Sequence, residues 1–265
     1  MPRQVTAFSN PLVKQARALR DKKGRRAEGR FLAEGLRILT EAREAGVLPE
    51  RLFFSDDSHP LLAALIAETE AAGGEAIATN ADILHKISGK DNPQAVLGIY
   101  RQFDTGLEGI DRNAAPLWIV AQALRDPGNL GTILRTGDAA GAGGLILVDD
   151  CADPFSAEAV RASMGALFTQ KIAAARWEEF LLWLRGGPGQ LVGASLHAET
   201  DYQRARYAAP TFVLVGNESQ GLPAAYEAAC DLLVKIPMMG RADSLNAAVA
   251  AAVMAYEVLN QRRRR

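Results

Sequence analysis

Residues Phe212 to Glu257 read FVLVGNESQGLPAAYEAACDLLVKIPMMGRADSLNAAVAAAVMAYE. Two short apolar runs, Phe212 to Val215 and Leu232 to Ile236, have the length of buried strands. Each runs into a polar, glycine-bearing loop, Gly216 to Leu222 and Pro237 to Asn246. Ser244 suits the capping position of the alanine-rich helix that follows, and Leu245 and Asn246 open that helix. Loops at the carboxyl ends of parallel strands are where open α/β sheets hold ligands. The two loops are therefore expected to hold a cofactor.

Working outward, the same alternation continues upstream. Strands are expected at Leu117 to Ala123, Leu145 to Val148, Thr169 to Ala174 and Leu191 to Ser195, with helices between them. Such alternation predicts a parallel sheet covered on both faces. The turn after Leu117 to Ala123 carries Asp126-Pro127-Gly128-Asn129, and a helix follows with Leu130, Ile133 and Leu134 on one face. Asn129 lies at the start of that helix and Arg135 nearly two turns later, on the same side. Ahead of this, residues 31–100 alternate strand and helix in a smaller α/β unit. The expected division is 1–105, a linker over 106–116 that is poor in periodicity and holds Gly106, Gly109, Asn113 and Pro116, and 117–265.

Charge is unevenly spread. The net charge of the 265 residues is −1, yet residues 1–30 carry +7 and the terminal arginines Arg262 to Arg265 carry +4, leaving −12 on the remainder. A helix signal, with Ser9 or Asn10 as the cap and Pro11 at the first helical position, places Lys14, Arg17 and Arg20 opposite Leu12, Ala16 and Leu19. Lys22, Lys23, Arg25, Arg26 and Arg30 follow. The pattern predicts a basic arm contacting phosphates, an attraction that carries affinity without sequence choice.

Several chemistries are excluded. There is no P-loop, no G-x-G-x-x-G, no H-E-x-x-H and no G-x-S-x-G. His59, His85 and His197 have no metal spacing, so no metal is expected. Cys151 and Cys230 match no redox motif and read as reduced thiols of a cytoplasmic protein. No apolar run approaches a membrane span, and the N-terminus has no secretory apolar core.

Three clusters remain, each at the end of an expected strand: DPGNLGTILRTGDAAG, VLVGNESQGL and IPMMGRADSLNAAVA. Together and in this order they resemble the motifs of the SpoU-type (TrmH-like) RNA ribose methyltransferases of the SPOUT superfamily. The resemblance covers about Leu117 to Glu257. The N-terminal part, from Phe8 through Arg37, is similar to the substrate-binding domain of members that modify ribosomal RNA. The resemblance implies a trefoil-knotted methyltransferase domain and a smaller α/β domain like RNA-binding ribosomal proteins. It also implies S-adenosylmethionine as cofactor and a homodimer through the knotted domain. By position, Gly216, Ile236 and Leu245 match cofactor-contacting residues, and Asn129, Arg135, Glu218, Ser244 and Asn246 match catalytic and RNA-facing ones. The implied reaction is methyl transfer to a ribose 2′-hydroxyl, in ribosomal RNA of the 23S type rather than transfer RNA. A non-catalytic ribosome-assembly factor on the same fold and a small-molecule α/β enzyme using a nucleotide are the rivals. The four polar residues Asn129, Arg135, Glu218 and Asn246 speak against the first, and the missing phosphate loops against the second.

Overall fold

The computed structural model describes residues 2–217 and 220–264. Backbone contacts group them into two compact units, one of residues 1–103 with 153–169, the other of 104–152 with 170–265.

The first unit begins with β1 (Arg3–Gln4), α1 (Pro11–Ala18) and α2 (Lys22–Glu28), then β2 (Arg30–Glu34), α3 (Leu36–Glu44), β3 (Arg51–Phe54), α4 (Pro60–Ala71), β4 (Glu75–Ala78), α5 (Ala81–Ser88) and β5 (Val96–Arg101). Its mixed sheet has the order β1-β4-β3-β5-β2. β2 and β3 run antiparallel to β5, and β1 and β3 run parallel to β4. Asn10 caps α1 by accepting from the Leu12 amide at 2.9 Å, ahead of Pro11 at the first helical position. The amphipathic pattern then buries Val13, Ala16 and Leu19 against Ile83, Leu84 and Ile87 of α5 and Phe53 and Ile77 of the sheet. The expected basic arm is thus folded. The apolar stripe of α1 is part of the core, and β1 closes one edge of the sheet through its pairing with β4.

The second unit begins at Asp104 and so contains the whole stretch 106–116, for which the sequence predicts a linker. Leu107 and Ile110 are buried in its core, beside Trp118 and Phe180. The Arg112 guanidinium donates to the carbonyls of Trp183 and Leu184 and lies 4.1 Å over the Trp183 ring. Poor periodicity here reflects irregular but packed chain, tied by a buried indole N–H from Trp118 to the Arg112 carbonyl at 3.0 Å. The elements that follow are β6 (Leu117–Gln122), α6 (Pro127–Ala139) and β7 (Gly144–Val148).

Between β7 and the next strand the chain makes an excursion that the sequence division over 117–265 does not contain. Residues 153–169, with α7 (Ala157–Ser163) and a 3₁₀ turn over Ala166–Phe168, belong to the first unit. Phe155 and Phe168 complete an aromatic cluster with Phe31, Tyr100 and Phe103, centroids 4.9–6.0 Å apart. Asp153 accepts from Nε and Nη2 of Arg25 at 3.0 and 2.7 Å, while Arg25 Nη1 donates to the carbonyls of Leu19 and Arg20. Arg25 is 4% exposed. The basic pattern predicts that it faces RNA, but its guanidinium is spent inside the protein.

The chain then returns for β8 (Lys171–Ala175), α8 (Trp177–Arg185), β9 (Gln190–Ala194), β10 (Thr211–Val215), α9 (Ala224–Ala229), β11 (Leu232–Val234) and α10 (Ala247–Arg263). Six strands form an all-parallel sheet in the order β11-β9-β10-β6-β7-β8. β6, β7 and β10 are buried along their whole length, as continuous apolar runs require. α10 packs against α6 and β10. Its buried Ala247, Ala248, Ala251 and Ala255 are small residues that permit close helix approach, while Gly137 of α6 faces Ile119 of β6 and Ala142.

Candidate active site

β6, β9 and β10 lie side by side, so the loops leaving their carboxyl ends converge. The loop after β10 is shaped by Gly216. It folds back so that Asn217 and Gly221 bridge, with the Gly221 amide donating to the Asn217 carbonyl at 2.9 Å. A Cβ on Gly216 would sit 2.4 Å from the Gly221 carbonyl carbon, inside backbone that has nowhere to go. Gly221 itself adopts φ +67°, with open space around it.

The same loop is fastened to the loop after β6. Asn217 Nδ2 donates to the Ala123 carbonyl at 2.9 Å. Ala123 holds φ 47°, a left-handed conformation that costs an L-residue about 1–2 kcal/mol. Three interactions hold it there: its amide donates to Val148, its carbonyl receives Asn217, and the next amide, of Leu124, donates to Cys151 Sγ. Burial pushes the Cys151 thiol up to about 11 and the Cys230 thiol up to about 12, so neither is a thiolate near neutral pH.

The first motif forms α6 as its residues require. Asp126 caps the helix by accepting from the Asn129 amide at 2.6 Å, and Pro127 occupies the first turn. The third motif starts α10 in the same way, with Asn246 rather than the expected Ser244 as its cap and Ala247 as its first residue. Asn246 Oδ1 accepts from the amides of Ala248 and Val249 at 2.9 and 3.3 Å. Its Nδ2 then donates to Asn129 Oδ1 at 3.0 Å. One side chain therefore caps α10 and pins it to the start of α6, across 117 residues of sequence.

These loops enclose a cavity of about 330 Å³, at the lower end of small-molecule sites. Gly216, Ile236, Ser244 and Leu245, singled out from sequence, all line it. Asn246 lies between the lining residues Leu245 and Ala247. Arg135 is not on the wall. It is exposed on α6 and, among the described residues, makes no hydrogen bond or ion pair. Glu218, also singled out, lies outside the described residues. Of the expected RNA-facing side chains, Lys14, Arg17, Lys22, Lys23 and Arg26 are exposed on α1 and α2. Arg30 is half-buried and ion-paired with Glu50 and Glu28. Arg25 is internal.

Three lining residues are invisible to motif reading: Ser195 and His197 after β9, and Glu227 on α9. Ser195 Oγ donates to Glu227 Oε1, and His197 Nδ1 lies 3.3 Å from the same oxygen. No local signal marks them, because α9 is a six-residue helix of ordinary composition and Ser195 meets Glu227 from 32 residues away in the sequence.

The residues fit a nucleoside-sized cofactor. Val215, Leu222, Ile236 and Leu245 give apolar walls for a flat base, and Ser195, Asn217 and Glu227 provide a few convergent polar groups. Gly216→Ala is expected to weaken binding of S-adenosylhomocysteine by about tenfold or more, from ~1–3 kcal/mol of overpacking strain. Gly221→Ala, with room for its Cβ, carries only the ~1–2 kcal/mol strain of its left-handed φ of +67° and no backbone clash, and is expected to cost less. Titration calorimetry on both variants checks the order.

Comparison with known proteins agrees with this geometry. Residues 116–256 match the SpoU rRNA Methylase family, and residues 10–98 match the MRM3-like substrate binding domain. The chain is 33% identical to the 23S rRNA (uridine(2479)-2′-O)-methyltransferase of Streptomyces viridochromogenes, over 98% of this chain and 93% of that one. It is 27% identical to the 23S rRNA (guanosine(2553)-2′-O)-methyltransferase of Bacillus subtilis, over 97% and 99%. The structure of an AdoMet-bound rRNA methyltransferase from Sinorhizobium meliloti superposes with a TM-score of 0.91 at 40% identity, covering 98% of both chains.

Proposed function

The chain belongs to the SpoU rRNA methylase family, and from that premise we propose that it transfers a methyl group from S-adenosylmethionine to a ribose 2′-hydroxyl in ribosomal RNA of the 23S type. One observation carries the reading: Gly216, Ile236, Ser244 and Leu245, from two loops, line a single cavity whose edge is fixed by the Asn246–Asn129 hydrogen bond.

Bound there, the cofactor supplies an electrophilic methyl group on a sulfonium. The protein supplies placement and electrostatics. Asn129 and Asn246 hold the starts of α6 and α10 in register, so that Ser244 and Leu245 face the cavity. The exposed Arg135 guanidinium is free to take the phosphate beside the target ribose and to stabilise the negative charge that grows on the attacking oxygen. An arginine is always protonated, so it does not act as the base. Glu218 is proposed, from its place in the motif alone, to orient or accept the hydroxyl proton. The first unit binds RNA through Lys14, Arg17, Lys22, Lys23 and Arg26.

A homodimer through the second unit is part of the proposal. It is supported by the exposed Val249 and Tyr256 on α10, one helical stripe with the half-buried Val253. The deep knot implied by the motifs and residence in the cytoplasm are proposed with it. No helix among the described residues is long and apolar enough to cross a membrane.

Purified protein, labelled S-adenosylmethionine and unmodified ribosomal RNA are expected to yield 2′-O-methyl nucleosides after nuclease digestion. Label on a base, or none on any precursor RNA, overturns the reading. Replacing Lys22, Lys23 and Arg26 together by Ala is expected to weaken RNA binding across all sequences. The slope of log affinity against log salt should become shallower by about 1 for each phosphate no longer neutralised. An unchanged slope would make these residues ordinary solvated surface.

A further inference from the structure

The cavity contains one carboxylate that no motif accounts for. Glu227 reaches it from α9, and its side chain is 15% exposed. Two neighbours fix one oxygen: Ser195 Oγ donates to Oε1, and His197 Nδ1 stands 3.3 Å from it. Ser195 Oγ in turn accepts from the His197 amide at 3.1 Å. Among the described residues, no hydrogen bond or ion pair engages Oε2. An ionised carboxylate only accepts hydrogen bonds, so a half-buried one on a cavity wall calls for a ligand donor.

We propose that Glu227 is a specificity-determining residue for the cofactor, and that Oε2 accepts from the ribose diol of its adenosine moiety. The proposal rests on the assignment of the cavity to S-adenosylmethionine. Three donor groups of that molecule compete for the carboxylate: the ribose hydroxyls, the adenine amino group and the methionine ammonium. The apolar walls at Val215, Leu222, Ile236 and Leu245 suit the base, where a carboxylate would be unwelcome. His197, whose side chain is 83% exposed, lies 3.3 Å from the Glu227 carboxylate, a solvated neighbourhood that suits a ribose better than a base. Adjacent hydroxyls match the reach of a single carboxylate, the solution acidic side chains give to nucleoside riboses elsewhere. Ser195 is the positioning residue that sets the rotamer of Glu227.

The test is calorimetry with three probes: S-adenosylhomocysteine, its 2′-deoxyribose analogue, and 5′-methylthioadenosine, which keeps the diol but has no ammonium. Glu227→Gln keeps the shape and replaces one acceptor oxygen by a donor. It is expected to weaken S-adenosylhomocysteine and 5′-methylthioadenosine alike by about tenfold or more, the worth of a charge-assisted hydrogen bond. The deoxy analogue, already weak on the wild-type protein, should weaken little further. Ser195→Ala, with the carboxylate kept, is expected to produce a smaller effect of the same pattern. If 5′-methylthioadenosine is insensitive to Glu227→Gln while S-adenosylhomocysteine is weakened, the ammonium is the donor and the proposal is overturned. Equal sensitivity of the deoxy analogue also overturns it. A wild-type protein that binds none of the three probes removes the cofactor assignment itself, a distinct failure. Unchanged melting temperatures of both variants without ligand separate a weakened site from a misfolded chain.

Discussion

Arg135→Ala is expected to slow methyl transfer by about 10²–10³ in kcat, the usual cost of removing a charge-stabilising donor at a reacting oxygen. Affinity for S-adenosylhomocysteine should be unchanged. The separation follows from the geometry. Arg135 is exposed on α6 and is absent from the cavity wall, while the capping and pinning of that helix depend on Asp126, Asn129 and Asn246. Removing the guanidinium therefore leaves the cofactor walls in place and deletes only the group proposed to meet the RNA phosphate. Arg135→Lys is expected to recover part of the activity, since a point charge replaces the charge but not the fork that grips a phosphate. Single-turnover methylation with saturating cofactor, beside calorimetry, measures both quantities. Weakened cofactor affinity in Arg135→Ala would reassign the residue to the cofactor site.

The second large effect concerns stability. Asp153→Ala should destabilise the protein by about 3–5 kcal/mol, because it leaves the buried Arg25 guanidinium without its carboxylate. At ~2–4 °C per kcal/mol for a chain of this size, the melting temperature should fall by more than ~6 °C. Arg25 has its Nε and Nη2 on Asp153 and its Nη1 on two carbonyls, so every hydrogen bond that makes its burial tolerable is specific. Arg25→Met with Asp153→Leu should be less damaging than Asp153→Ala alone, since no unpaired charge remains. The same interactions predict that a fragment of residues 1–105 fails to fold alone. It lacks Asp153 and also Phe155 and Phe168, which cover Phe31 and Tyr100. A sharp thermal transition in that fragment, or an Asp153→Ala protein as stable as the parent, would contradict this account.

Much of the fold is legible in the chain. Pro11 and Ser156 mark helix starts because capping is a local matter of one side chain and the amides two or three residues on, whereas α6 is capped by Asp126, three residues ahead of the expected start at Asn129. The all-parallel sheet is legible from apolar runs too short to be helices and too uniform to have a wet face. Local signals fail where a partner lies far along the chain. Arg25 and Arg26 are neighbours in one basic cluster, and nothing near them says that the first is internal and the second exposed. Residues 106–116 look like a linker because packed irregular chain has no period to read. Ser195, His197 and Glu227 carry no motif at all.

Most strands and helices, the three loop motifs and hence the family and its chemistry rest on residues close together in the chain, which is why they are legible there. Only the tertiary structure decided which charges are available and which are spent. It seated 153–169 in the first unit and gave Arg25 its carboxylate. It also brought Asn246 to Asn129 and placed Glu227 on the cavity wall. The physical reason is that a charge is defined by its surroundings. Burial and pairing are set by segments more than a hundred residues apart, and no periodicity reports them.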